Sequence, residues 1–375
     1  MNDESDNFDD LSPFKHLVYC TRCCLPSTSE DIGFDEAGIC KACESSEEKM
    51  KIDWHKRQGD LKKILESAAK SSKDNYDCMV PISGGKDSAF QLHILTKKYK
   101  LKPLAVTFSH NWYSKTGWDN LWNVLEKLDV DHIMYTPKRS LVNRLARKSL
   151  PAIGDSCWHC HAGVLSFPLH IAVKFGIKLL VFGESSAEFS SRDTFLSQKL
   201  DLGCASKMYD VFMKISVQKG PEKMVSKEIS RDELVMFFPP SKKDLDKNNI
   251  KAIYLGDYIF WDQERQTEFL VNEYGWKEDK VEGTYKRYKS VECKMPGVHD
   301  YAKYIKRGFG RATDFVSQDI RAGLMTREEG FKIAKKIDAE RPKALDYYLK
   351  ITGYTEEEFL DILKKMRKGS AKKLP

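Results

Sequence analysis

The stretch Val80-Pro81-Ile82-Ser83-Gly84-Gly85-Lys86-Asp87-Ser88-Ala89-Phe90 passes from an apolar run into small residues, then into Phe90, Ile94 and Leu95 at helical spacing. A strand, a glycine turn and a helix in that order aim backbone N–H groups at an anion. Gly84 and Gly85 permit the tight turn and a close backbone approach, Ser83 and Ser88 offer hydroxyl donors, and Lys86 supplies a cation. Asp87 is suited to orienting Mg²⁺. This is not a Walker loop, because Asp87 follows the lysine where that motif needs Ser or Thr after a longer loop.

Outward from this stretch, short apolar runs alternate with helical ones, at residues 78–82, 104–108, 132–135 and 179–182. The alternation predicts an α/β fold, a doubly wound, mostly parallel sheet covered on both faces, over about residues 76–200. Residues 201–375 read as mostly helical, with residues 252–255 as one further candidate strand. Capping boxes at Thr326-Arg327-Glu328-Glu329 and Thr355-Glu356-Glu357-Glu358 mark two helix starts there. Ligands bind beyond the carboxyl ends of such strands, so Ser109, His110 and Asn111 after the second run are candidate contacts. Gly183-Glu184-Ser185 after the fourth run is another, with Glu184 preferred as a metal or ribose contact.

A cysteine-rich segment, residues 17–50, precedes the sheet. Cys20-x2-Cys23 and Cys40-x2-Cys43, sixteen residues apart, have the spacing of a four-cysteine zinc ribbon, two knuckles brought together by a short β-hairpin. Four thiolates leave no open position, so the Zn²⁺ expected there is structural. Cys24 is a spare packing thiol. Residues 1–16, acidic and poor in apolar side chains, read as a disordered leader. Residues 51–75 read as a linker helix with Leu61, Ile64, Leu65 and Ala68 on one face, and the basic residues 364–373 as a frayed tail.

A chain of 375 residues, 41% hydrophobic and 31% charged, can bury the cores of two or three domains. Its net charge of +7, from 62 basic and 55 acidic side chains, is too small an excess to indicate a nucleic-acid partner. The first residues lack the features of a secretory signal, and no apolar run reaches membrane-spanning length. Ten cysteines in that setting point to a cytoplasmic, reducing location, where close pairs hold metal more often than they form disulfides.

A second pair lies in Gly154-Asp155-Ser156-Cys157-Trp158-His159-Cys160-His161. Cys157 and Cys160 need a further ligand to hold a metal; Cys293 is the preferred third, and His161 the alternative. Three thiolates with one open position suit an iron–sulfur cluster or zinc. Buried cysteines without a ligand are the competing reading. Further on, Lys306-Arg307-Gly308-Phe309-Gly310-Arg311 places three cations around two glycines, a candidate site for a substrate carboxylate or phosphate.

The loop over residues 83–88 resembles that of the PP-loop ATP pyrophosphatases, an adenine nucleotide alpha-hydrolase-like superfamily that cleaves ATP between its α and β phosphates. Other segments add to the likeness: Tyr19-Cys20-Thr21-Arg22-Cys23, residues 34–43, Cys157-Trp158-His159-Cys160-His161, Gly183-Glu184, His299-Asp300-Tyr301, and residues 306–314 and 325–329. In this order they make most of the chain similar to N-acetyl sugar amidotransferases of bacterial surface-polysaccharide, O-antigen and flagellar-sugar pathways. Cys24 departs from that pattern, which has an apolar residue there.

The resemblance implies an ATP-dependent C–N ligase that adenylates the N-acetyl carbonyl of a sugar or sugar acid. Ammonia then replaces the oxygen to give an acetamidino group, releasing AMP and pyrophosphate. ATP and Mg²⁺ would meet Ser83, Gly84, Gly85, Lys86, Asp87, Ser88 and Glu184, with Lys86 and Asp87 as the catalytic pair. The implied partners are a glutaminase and a cyclase-like barrel that supply ammonia. A tRNA thiolation enzyme can share the ribbon, loop and later cysteine pair, but would need a broad basic surface for RNA. A noncatalytic zinc-ribbon protein binding nucleic acid is a third reading, disfavoured by the intact Lys86-Asp87 pair.

Overall fold

Among the described residues five short strands, β1 (Cys78–Pro81), β2 (Pro103–Phe108), β3 (His132–Tyr135), β4 (Leu179–Phe182) and β5 (Lys251–Tyr254), form one sheet in the order β3-β2-β1-β4-β5, and every pairing is parallel. The computed structural model describes residues 11–72, 75–185, 187, 194–196 and 220–375. Alternate side chains of a strand face opposite sides, and the core divides accordingly. Cys78, Val80, Ala105, Leu179, Val181 and Ile253 meet helices Trp54–Ser72, Lys86–His93, Lys115–Leu128 and Gln263–Tyr274. Met79, Leu104, Val106, Leu180 and Ala252 meet helices Arg139–Ile153 and Trp158–Phe175 on the other side. Both faces are covered, which is why the strand sequences are apolar without alternation.

Because β1 lies between β2 and β4, the direction of strand succession reverses at β1 and β4. A crevice forms beyond the carboxyl ends of such neighbours. The 83–88 loop leaves β1 there and Gly183-Glu184-Ser185 leaves β4.

The sheet extends past the boundary expected at residue 200. β5 pairs with β4 from Leu179↔Lys251 to Phe182↔Tyr254, satisfying backbone groups that β4 would otherwise leave open. Residues 186, 188–193 and 197–219, which include the expected boundary, lie outside the described residues. The last helices, Pro296–Arg307, Arg311–Arg321, Arg327–Asp338, Ala344–Thr352 and Glu356–Lys365, include both expected capping boxes, at Thr326 and Thr355. Val298, Ala302, Leu345, Tyr348, Phe359 and Leu363 form a core with Val142, Ala146 and Leu150 of the Arg139–Ile153 helix, so this region is seated on the sheet layer.

Three segments read as peripheral are packed. The helix Trp54–Ser72 is no free linker, since Leu61 and Leu65 are fully buried in the sheet core. At the start of the described chain, Phe14 contacts Tyr304, and with Leu17 it packs against Leu374. Residues 1–10 lie outside the described residues. At the far end Ala371 and Leu374 are buried, and the Arg367 guanidinium donates to the carbonyls of Leu374 (2.5 Å) and Pro375 (2.8 Å). The two ends cover one another; their few apolar residues show no period and lie among charges. No helix among the described residues is long and apolar enough to cross a membrane.

Leu61→Ala is expected to cost about 2–5 kcal/mol in urea unfolding. A linker helix in solvent would lose no more than about 0.5 kcal/mol.

Candidate functional site

Gly84 carries the turn after β1 at φ +87°, where a Cβ would stand 2.4 Å from the Gly117 carbonyl oxygen. The Trp276 indole N–H donates to the Gly84 carbonyl (3.0 Å) and fixes the turn from the other side. The serines shape the loop from within: the Ser83 N–H donates to Ser88 Oγ (3.2 Å), the Gly85 N–H to Ser83 Oγ (3.3 Å), and the Ser88 hydroxyl to the Gly85 carbonyl (3.1 Å). Gly85 then caps the Lys86–His93 helix, whose first N–H groups have no intrahelical partner.

Lys86 is only 2% exposed, bonded to the Asp87 carboxylate, with its ammonium 5.4 Å from the centre of the Tyr288 ring. Trp261 Nε1 also donates to Asp87 (3.3 Å). Burial acts to raise the Asp87 carboxyl, but Lys86 and Lys289 outweigh it and hold the group below the usual carboxylate range. Lys289 is itself lowered by burial, against the pull of Glu184. Glu184 lies at the crevice, 3.5 Å from the Lys289 ammonium, and accepts from Gln263 Nε2 (2.6 Å). Glu292 closes the near wall, where a Cβ on Gly85 would meet Glu292 Oε2 at 3.2 Å and Ser83 Oγ at 3.3 Å. Burial raises its carboxyl.

This is a glycine-lined cradle with two buried lysines and three carboxylates. Its N–H groups and lysines can hold a polyphosphate; Asp87, Glu184 and Glu292 line the crevice, but their oxygens do not all come within 4.8 Å of one another. Lys289 and Glu292 have no spacing that marks them in the sequence, because they stand outside any helix or strand. The one cue was the interleaving of cations and aromatics in Tyr285-Lys286-Arg287-Tyr288-Lys289.

Lys306, Arg307 and Arg311 do not converge as expected. Lys306 donates to the Gly154 carbonyl, and Arg307 pairs with Glu30. Arg311 points inward, bonded to Ser290 Oγ and, through Nε, to Asp300 (3.0 Å). It is the member of the three that faces the cleft, and its charge reaches Glu292 and Cys293. Asp300 also accepts from His299 (3.1 Å), whose ring lies 5.3 Å from that of His161, and His161 Nδ1 is 2.8 Å from Asp155.

Cys157, Cys160 and Cys293 are neighbours, but their three sulfurs are not all within 4.8 Å of one another, so they form no compact mononuclear site. Burial raises all three thiols, Cys293 to about 12. Of the Ser109 group, Ser109 and His110 are buried. His110 stacks on Tyr113, and the His159 ring contacts the His110 carbonyl (3.2 Å). Burial lowers His110 to about 3 and His159 to about 4.

The ribbon cysteines do converge. Sγ separations are 3.8 Å for Cys20–Cys43, 3.7 Å for Cys23–Cys40 and 3.7 Å for Cys40–Cys43. A tetrahedron with Zn–S bonds of about 2.3 Å has edges of about 3.8 Å, so the four sulfurs fit zinc without rearrangement. In place of a strand hairpin, isolated antiparallel bridges Tyr19↔Pro26 and Phe34↔Cys40 set the knuckles, and Cys43 sits in the first turn of helix Lys41–Lys49. Arg327 donates to the carbonyls of Cys20 (2.9 Å) and Cys23 (3.1 Å), tying the ribbon to the C-terminal helices.

Residues 282–372 match the family model described as LPS biosynthesis protein WbpG-like, C-terminal domain. That segment contains Lys289, Glu292, Cys293, Asp300 and Arg311. The chain is also similar to a protein of Methanocaldococcus jannaschii named Uncharacterized protein MJ1599, at 23% identity over 326 residues, 86% of this chain and 94% of that one.

Cys40→Ser is expected to lower zinc content by one ion per chain, read by elemental analysis, and to loosen the C-terminal helices in hydrogen exchange. His110 and His159 are neutral in the fold and gain protons on unfolding below about pH 6.5. Stability therefore falls as pH drops, by about 2 kcal/mol for each imidazole between pH 6.5 and 5. Urea unfolding at both pH values checks this, and His159→Gln should remove that residue's share of the slope.

Proposed function

We propose that this chain is an ATP-dependent, AMP-forming amidotransferase acting on an N-acetylated sugar or sugar acid in surface-polysaccharide biosynthesis. The observation that carries the reaction type is the glycine cradle at the β1/β4 crevice, with Lys86 buried against Asp87. The WbpG-like segment supports the sugar pathway. In this reading the amide oxygen attacks the α phosphorus and pyrophosphate leaves. Ammonia then adds to the activated carbon, AMP departs with the former amide oxygen, and the product is an acetamidino group.

The N–H groups of the 83–88 loop, Lys86 and Lys289 stabilise the charge that gathers on the departing pyrophosphate. Asp87, at the start of the helix after the loop, would orient Mg²⁺, which supplies further neutralisation of that charge. Arg311 is the contact for a carboxylate or phosphate of the sugar. Ammonia comes from glutaminase and cyclase-like partners.

Incubation with ATP, ammonia and a nucleotide-linked N-acetylated sugar acid is expected to yield AMP and pyrophosphate. ADP and phosphate would overturn the proposal, and turnover on tRNA alone would move it to the thiolation class. Lys86→Ala should lower kcat by about 10²–10³-fold with an unchanged circular dichroism spectrum; wild-type turnover in that variant removes the cradle from the chemistry.

A further inference from the structure

Two motifs that the proposed reaction leaves unused meet in space. Asp155 and His161 flank the second cysteine pair, and His299 opens the His299-Asp300-Tyr301 run of the Pro296–Arg307 helix. One donor atom from each of the three lies within 4.8 Å of the others. We propose that Asp155, His161 and His299 hold a first-row divalent transition-metal ion of the Zn²⁺ or Fe²⁺ class, separate from the four-cysteine centre. The inference does not depend on the amidotransferase reading.

Two imidazoles and one carboxylate suit these ions, and three protein ligands leave positions open for water or a substrate oxygen. The surroundings fit. Asp155 is held by the Cys157 N–H, which donates to Oδ1 (2.8 Å) and leaves Oδ2 toward His161. Asp300, only 4% exposed, contacts His299 Nδ1 (3.1 Å), which frees Nε2 for a ligand bond in the way a carboxylate behind a metal-bound histidine does. The two rings stand edge to face, 85° apart, as adjacent ligands can.

Two cations lie nearby and are already engaged, Arg311 by Asp300 and Ser290, and Lys306 by the Gly154 carbonyl. An anion placed among the three donors would meet the Asp155 carboxylate directly; a dication is drawn to it. Cys160 and Cys293 are neighbours but not members of the donor set.

The test adds Co²⁺ in excess to the purified full-length protein with its four-cysteine centre already filled with zinc. One cobalt per chain is expected, with weak visible d–d bands and no thiolate-to-cobalt charge transfer. His161→Ala and His299→Ala should each abolish uptake, while their retained zinc shows that the variants are folded. Asp155→Asn, a milder change, should weaken uptake by at least about tenfold. No cobalt bound by the wild type overturns the proposal, as does uptake that survives both histidine changes. Thiolate charge transfer lost on Cys160→Ala also overturns it, by placing the ion on the cysteines.

Discussion

The backbone of Glu292 runs against Gly117 so closely that a Cβ on the glycine would stand 2.1 Å from the Glu292 Cα. The Ser114 N–H donates to the Glu292 carbonyl (3.1 Å), the Lys294 N–H donates to the Trp112 carbonyl (2.8 Å), and Tyr113 bridges Cys293. These contacts join a segment without regular structure to the loop after β2. They place Lys289 and Glu292 over the 83–88 turn and start the helix that carries His299, Asp300 and Lys306. Most of the joint is backbone to backbone, so its geometry depends on Gly117 lacking a side chain more than on what surrounds it.

Along that joint the charges are arranged as a connected series. Lys86 meets Asp87, Lys289 meets Glu184, and Arg311 meets Asp300. Lys86, Lys289 and Asp300 are almost fully buried, and removing one partner of such a pair leaves a charge without water or counter-ion, typically at a cost of about 3–5 kcal/mol. The cleft is thus ordered before any ligand enters. A bound anion or cation exchanges places with partners already fixed, which limits the reorganisation needed at the moment of binding.

Much of this was legible in the sequence where a physical constraint imposes a spacing. The strands show because both faces of the sheet are buried, and the 83–88 turn because two glycines fall between strand and helix. The four ribbon cysteines show because a tetrahedron needs two close pairs. Lys289 and Glu292 obey no such spacing; their positions follow from hydrogen bonds to residues 112–114, far away in sequence. Lys306, Arg307 and Arg311 misled by proximity. Consecutive residues on a helix diverge by about 100°, and Gly308 at φ +79° ends that helix so that Arg311 begins another. Apolar residues at either end, such as Phe14 and Leu374, are hidden among charges because neither belongs to a periodic apolar run.

The ribbon's attachment has a consequence for how the chain comes together during synthesis. Its four cysteines are made well before the groups that hold it, Ser317 on the Cys24 N–H and Arg327 on the Cys20 and Cys23 carbonyls, which are about three hundred residues further on. Contacts of such sequence separation form late, and domains emerging from the ribosome first settle what is local. The knuckles can therefore take up metal first, but their docking face stays bare until the helices bearing Ser317 and Arg327 arrive. During that interval Cys24 lacks the cover that Val316, Phe331 and Ala334 give it in the finished fold.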